Sequence, residues 1–317
     1  MSRNKIQMQY GLGLIEFQQR FPDEESCRKY LIETKWPLGF SCRICGHNTA
    51  WKTFRGKRRH PSWRCCHCQA EETLYAHTLF EHTQLPLKTW FLAIEILTQA
   101  KTCVSALHLH RLISVNDKTA LLVKHKIMQA MTEAEQKRVL SQRIEIDDVY
   151  LGGVATGGKV GRGAEKKIPF IAAVETDKQN HPLHVILEPV SGFTKDVMAR
   201  WSLLHIAPGS RVYSDGLECF CAMQNCEHCR YVMSKSDKSV ADTVFKWVNT
   251  IISNVKTAFG GTFHSFKFNL YAQRYLGLMQ FRFNHRFDLR ACFWAMLRVT
   301  IKSGAKTKKS LQLTADG

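Results

Sequence analysis

Apolar residues recur at three- and four-residue intervals in the first part of the chain, and from residue 143 they alternate with polar ones. Helices are therefore predicted before strands. PLKTWFLAIEILTQA, residues 86–100, sets Trp90, Phe91, Ile94 and Leu97 on one helical face behind an opening proline. Ser105 is placed to cap a short helix over ALHLHRL, and SVND forms a turn. Residues 118–131 then make a longer amphipathic helix with Leu122, Ile127 and Met131 inward. Two helices joined in this way fit a helix-turn-helix as well as an ordinary helical hairpin.

After the polar stretch TEAEQKR, the segment RIEIDDVYLGG at 143–153 has period two and predicts a strand. Glu145, Asp147 and Val149 fall on one face and Ile146, Asp148 and Tyr150 on the other. On that geometry the adjacent aspartates cannot both address one site. IPFIAAVE at 168–175 and HPLHVILEPV at 181–190, joined by TDKQN, extend the strand into a meander. A helix from Thr194 to Ile206 leads through APGS into RVYSDG, residues 211–216, a strand that ends in an acid and a glycine and returns beside the first. An acid within one strand, another at the end of a later strand and a polar residue on a following helix compose the RNase H-like arrangement for two-metal phosphoryl chemistry. The final apolar pattern, His264 to Arg286, interleaves aromatic and basic residues on one long helix, partly core and partly facing DNA. KSGAKTKKSLQLTADG follows as a flexible basic tail.

Composition adds a partner. Hydrophobic residues are 44% and charged residues 23% of 317, ordinary globular usage, enough for two or three modules. The net charge of +18 favours a polyanion, with nucleic acid first and solubility or an anionic membrane as the bland alternatives. MSRNKIQMQYGLGL has no apolar run of signal-peptide length, and no segment offers the ~18 uncharged apolar residues of a membrane span. The expected location is the cytoplasm, with no membrane partner. Twelve cysteines in a reducing compartment call for metal binding or packing, not disulfides.

Cys42-x2-Cys45 is followed after nineteen residues by Cys65-x2-Cys68, the spacing of a zinc ribbon in which each pair turns two thiolates toward one ion. Gly46 suits the left-handed turn of the first knuckle, and Trp51, Phe54 and Trp63 supply a small core. Four unrelated buried cysteines are the competing interpretation, and Cys66 and His67 compete as ligands inside the second knuckle. Cys219, Cys221, Cys226 and Cys229 with His228 could hold a second zinc, although packing accounts for them better.

IDDVYLGG, the basic GGKVGRGAEKK, YSDG, WVNTIISNVK, GTFH and FRFNHRF occur in that order. With these motifs the sequence resembles bacterial insertion-sequence transposases, specifically the ISXO2-like group, which joins a zinc ribbon to a DDE-type catalytic domain. The likeness runs over nearly the whole chain; its opening, EFQQRFPDEESCRKYLIETKWPLGF, puts Cys27 on a helix away from the zinc. The resemblance implies catalytic positions at Asp147, Asp215 and Asn249, with Lys256 on the DNA backbone near the scissile phosphate. Asn249 is a departure from most DDE enzymes: its neutral carbonyl holds a cation more weakly than a glutamate does. Asp242, or Asp148 if the strand twists or bulges, could restore charge. Lys256 lies seven residues beyond Asn249, about 10 Å along a helix, so the two point the same way. Taken singly, Asp147 is also readable as a strand-end acid paired to an arginine, Asp215 as a turn former and Lys256 as a solvated surface residue.

The expected fold is thus multidomain α/β: a helical lead-in (1–38), a zinc ribbon (39–80), a helix-turn-helix-like segment (85–135), an RNase H-like catalytic domain with a mixed sheet flanked by helices (140–300) and the tail (301–317). The expected cofactors are structural Zn²⁺ and catalytic Mg²⁺, with Mn²⁺ as its substitute on hard oxygen ligands. Double-stranded DNA, as terminal inverted repeats and target, is the expected partner. The residues to contact it are Arg55, Lys57, Arg58 and Arg59 on the ribbon, Lys118, Thr119, Lys124 and Lys126 on the helical segment, Lys159, Arg162, Lys166 and Lys167 in the glycine-rich hairpin, and Lys256. Holding two DNA ends implies a homo-oligomer on DNA. The rival functions are a non-catalytic DNA-binding regulator, for which Asn249 argues, and an RNase H-like junction nuclease.

Overall fold

The computed structural model describes residues 9–56, 60–100, 102–152, 167–232, 243–263 and 267–313. The expectations for Lys57, Arg58, Arg59, Lys159, Arg162, Lys166 and Asp242 lie outside the described residues. The chain divides into two units, Met1–Ala130 with Asp288–Leu311, and Met131–Phe287 with Gln312–Gly317.

In the first unit, helices α1 (Leu14–Arg20) and α2 (Glu24–Lys35) precede a three-stranded antiparallel sheet of β1 (Ala50–Arg55), β2 (His60–Cys65) and β3 (Glu71–Thr73). Helix α3 (Leu87–Gln99) starts at Pro86, whose ring cannot donate, and its first free amides, Leu87 and Lys88, donate to the two oxygens of Glu24 at 2.9 and 3.1 Å. Helix α4 (Ala106–Ile113) is capped by Ser105, which accepts from the His108 N–H, and α5 (Asp117–Glu135) begins where Asn116 accepts from the Thr119 N–H. Phe17, Phe21, Phe80, Phe91 and Phe293 form the fully buried centre; Phe21 and Phe91 meet edge to face with centroids 5.0 Å apart. Phe293 comes from the helix Leu289–Lys302, which was expected to belong to the catalytic segment. Its apolar face, Phe293, Met296 and Leu297, is buried in the first unit instead. The basic tail is helical over Lys308–Leu313, with Thr307 and Ser310 capping each other reciprocally.

Three side chains depart from expectation here. Trp51 and Phe54 are 60% and 50% exposed because β1 is an edge strand; the ribbon is packed by Trp63, 4.7 Å from Trp36. Lys124 is fully buried and cannot be a surface contact to DNA. Its position is three, four and seven residues before Ile127, Met128 and Met131, on the inward stripe of α5, and burial pushes its amine down to about 8.

The second unit is built on a five-stranded mixed sheet of order β6-β5-β4-β7-β8: β4 (Arg143–Leu151), β5 (Ile168–Thr176), β6 (Pro182–Pro189), β7 (Arg211–Ser214) and β8 (Glu227–Arg230). β4, β5 and β6 are antiparallel neighbours, while β7 lies parallel to β4 and β8 parallel to β7. Helix α6 (Lys195–His205), capped by Thr194, covers one face, where Met198 and Trp201 join Ile144, Ile146, Ile171, Ile186 and Phe220 in the core. Helix α7 (Lys246–Ala258) packs against β4 and β5 through Val248, Ile251, Ile252 and Val255. This is an RNase H-like mixed sheet flanked by helices.

The exposed edge of β6 would leave backbone groups without partners, and α8 (Phe268–Asn284) supplies them. Gln280 accepts from the Leu187 N–H at 2.9 Å; Asn284 accepts from Val185 N–H at 2.7 Å and returns a bond to its carbonyl. Two arginines of this segment, expected to be partly core and partly facing DNA, turn inward: Arg286 donates to the Leu183 carbonyl at 2.8 Å, and Arg274 is buried. Gly277 lies on the same helix, where a Cβ would stand 2.1 Å from Thr132 Oγ1 and 3.0 Å from its Cα. Gly277→Ala is expected to lose about 1–2 kcal/mol in denaturant unfolding, where an open helix site would gain about 1 kcal/mol. A gain would contradict this packing.

Candidate metal centres

The two cysteine pairs converge. Cys42 and Cys68 sulfurs are 3.5 Å apart, Cys45 and Cys65 sulfurs 3.6 Å, and all four lie within 4.8 Å of one another. A tetrahedral ion with metal–sulfur bonds of about 2.3 Å would separate its sulfurs by about 3.8 Å, so the donor set fits a zinc ion. Each knuckle closes the same way: the Gly46 N–H donates to the Cys42 carbonyl and the Gln69 N–H to the Cys65 carbonyl, with both residues left-handed at φ of 73° and 60°. Amides of Cys45 and Ile44 pull the Cys42 thiol down to about 7. Cys68 accepts the Ala70 N–H, yet burial and the three neighbouring sulfurs push it up to about 12. Cys66 and His67 stay outside the cluster, as does Cys27, buried on α2 with its thiol pushed up to about 12 by desolvation. Among the described residues, the cysteines at 219–229 form no ligand group; Cys219 and Cys226 pack in the sheet core.

The second cluster is acidic. Asp147, Asp148 and Asp215 each bring a carboxylate oxygen within 4.8 Å of the others, all half-buried. Two adjacent strand residues were expected to diverge, and the ladder explains why they do not. β7 pairs with β4 only from Arg143↔Arg211 to Ile146↔Ser214. From Asp147 onward β4 has no further ladder partner in β7. The Asp148 N–H donates to Asp147 Oδ1 at 2.9 Å, which turns the Asp147 carboxylate along the open edge toward its neighbour. Asp215 is the first residue after β7, and its Oδ1 accepts the Leu217 N–H at 3.0 Å, so it also forms the turn. Behind it, His228 and Ser214 are hydrogen-bonded at 2.8 Å.

Burial and the charges of Asp148 and Asp215 push the Asp147 carboxyl up to about 7, against the Asp148 N–H and Lys256, which lower it. Among the described residues, Lys256 of α7 is a cation that acts on Asp147. Lys256 and Asn249 are both exposed, seven residues apart on one flank of that helix. Of the residues expected at DNA, Lys118 is exposed, and Thr119 and Lys167 are half-exposed. Lys126 is half-buried with its amine 5.8 Å from the Trp90 ring, and Arg55 is ion-paired to Glu71.

Residues 139–284 match the family model of the ISXO2-like transposase domain. Over that stretch the chain is similar to ISXO2-like transposase domains. That domain spans the whole mixed sheet with α6, α7 and α8, and it contains the acidic cluster. Comparison with curated proteins yields no match. The four-cysteine cluster at 42–68 fits a zinc ribbon on the N-terminal side of the transposase domain. Among the described residues no helix is long and apolar enough to cross a membrane.

A carboxyl held near 7 in the fold and at its ordinary 3.8 when unfolded keeps its proton longer in the native state. Through this group, metal-free stability falls as pH rises from about 4 to about 7. Asp147→Asn removes the charge, so it is expected to raise the metal-free melting temperature at pH 8 and to do so less at pH 5. Equal shifts at both pH values would contradict the assigned cause.

Proposed function

We propose that the protein is a DNA transposase that cleaves and joins DNA strands with divalent metal at Asp147, Asp148 and Asp215. The observation that carries this reading is the convergence of three carboxylates inside a transposase domain. Carboxylate oxygens gathered this closely are hard donors that suit Mg²⁺, with Mn²⁺ as substitute. In such sites metal activates the attacking water or 3′-hydroxyl and stabilises the leaving oxygen. This chain's part is to hold the ions with Asp147 and Asp215, to add Asp148 where Asn249 offers only a neutral oxygen, and to set Lys256 against the DNA backbone. The acidic trio also weakens the case for a non-catalytic regulator, which has no need to gather repelling charges at a sheet edge.

The four cysteines are assigned to structural Zn²⁺ in a ribbon at 39–80. Together with Lys118, Thr119 and Lys126 of the helical segment 85–135, and with Arg55, Lys167 and the basic residues outside the described segments, the ribbon would bind terminal inverted repeats. Target DNA would occupy the remaining basic surface, given the net charge of +18. Synapsis of two ends requires a homo-oligomer on DNA, and the cytoplasm, at the bacterial nucleoid, is the corresponding location.

Terminal-repeat DNA with Mg²⁺ tests the reading. Nicking and 3′-end joining are expected, with each of Asp147→Ala and Asp215→Ala losing at least about 100-fold in rate while retaining DNA binding. Nicking without joining would indicate a junction nuclease, and binding without cleavage a regulator. Purified protein is further expected to hold one zinc per chain by elemental analysis, lost in Cys65→Ser. Full metal retention in that variant would refute the ribbon assignment.

A further inference from the structure

Glu145 is fully buried on β4, and two of its hydrogen-bond donors lie more than a hundred residues away. Its Oε2 accepts the N–H groups of Trp247 at 2.8 Å and Val248 at 3.0 Å, the second and third residues of α7. Its Oε1 takes Arg143 Nη1 at 2.7 Å. Arg143 in turn donates Nη2 to the Val244 carbonyl at 2.9 Å and lies 4.6 Å from the centre of the Tyr213 ring on β7. The carboxylate thus grips the amide end of the helix and the guanidinium grips the carbonyl just before it. Phe245, at the N-cap position, has no side chain that can accept and makes no cap.

The placement is specific. Glu145 stands two residues before Asp147, Tyr213 two before Asp215, and Trp247 two before Asn249. On a strand, two residues preserve the face, so Glu145 and Asp147 look toward the same helix. One buried ion pair therefore fixes, at a short lever arm, the three elements that bear the proposed catalytic groups. A helix start held by charged hydrogen bonds cannot slide or rotate without breaking them, and the low-dielectric surroundings raise the cost.

We propose that Glu145, oriented by Arg143, is a positioning residue that sets the place of α7, and with it Asn249 and Lys256, relative to Asp147 and Asp215. The proposal rests on the transposase reading above for its catalytic consequence, and on the hydrogen bonds alone for its structural one.

The test compares Glu145→Ala and Glu145→Gln with Glu175→Gln, all in the full chain. Glu175 is a matched buried carboxylate whose bonds go to Ser141 and His184 and not to α7. Three quantities are read: cleavage of terminal-repeat DNA at saturating DNA and Mn²⁺, the affinity for Mn²⁺ and for DNA, and amide deuterium exchange over residues 246–258. Glu145→Ala is expected to lose about 100-fold in the saturated rate with both affinities held within about twofold, and to speed exchange at the start of α7. Glu145→Gln keeps an acceptor and is expected to recover part of the rate, while Glu175→Gln leaves rate and α7 exchange near parental values. Unchanged exchange in Glu145→Ala, an unchanged rate, or an equal rate loss in Glu175→Gln would overturn the positioning role. A parental protein that binds Mn²⁺ and DNA but never cleaves would instead sink the transposase reading, and the exchange measurement would still decide whether Glu145 holds the helix.

Discussion

The second unit depends on where one parallel ladder stops. β7 runs beside β4 as far as Ser214 opposite Ile146, and the next residue on each strand is an aspartate. Had the ladder continued by two residues, backbone hydrogen bonds would have occupied the edge, and Asp147 would have been held perpendicular to the sheet. Ending it there frees the Asp148 N–H to bind Asp147 and lets three carboxylates share a volume less than 5 Å across. The repulsion this creates is carried by the surrounding core: Ile144, Ile146 and Val212 are fully buried immediately upstream and fix both strands.

Carboxylates also organise each unit away from that cluster. Glu145 holds the start of α7 and Glu24 holds the start of α3, each by accepting two successive backbone amides of a helix whose N-cap residue makes no side-chain cap. A helix start has free N–H groups and partial positive charge, so an anion from another element both satisfies donors and fixes the helix in space. Local capping fixes only where a helix begins. Capping from a distant strand fixes where it lies, and in α7 that decides what a lysine two turns further on can reach. The shift of the Asp147 carboxyl, which Lys256 partly opposes, expresses that proximity.

Much of this was legible in the sequence because periodicity is a backbone property. The alternation in RIEIDDVYL and the return of RVYS beside it follow from apolar spacing, and Ser105 stands where capping chemistry requires it. The cysteine knuckles were readable because two C-x2-C turns impose their own geometry. What failed were side-chain directions set by tertiary context. Asp148 joined Asp147 because a ladder ended, which no local pattern encodes. Lys124 turned inward because the apolar stripe of α5 is wider than its spacing implied, and Trp51 and Phe54 stayed outside because β1 has a free edge. Glu145 appeared only as an alternating polar residue, since its partners, Trp247 and Val248, are distant in sequence. Asn249 was named from resemblance to a family and from no property of the residue itself.

The central claim is that the end of the β4–β7 ladder forms a divalent-cation site, and diffraction from crystals soaked in Mn²⁺ tests it most directly. Anomalous density bonded to Asp147 and Asp215, with Asp148 among the ligands or their hydrogen-bonded neighbours, is the predicted result. Manganese bound elsewhere on the protein, with these three carboxylates bare at saturating metal, would contradict it.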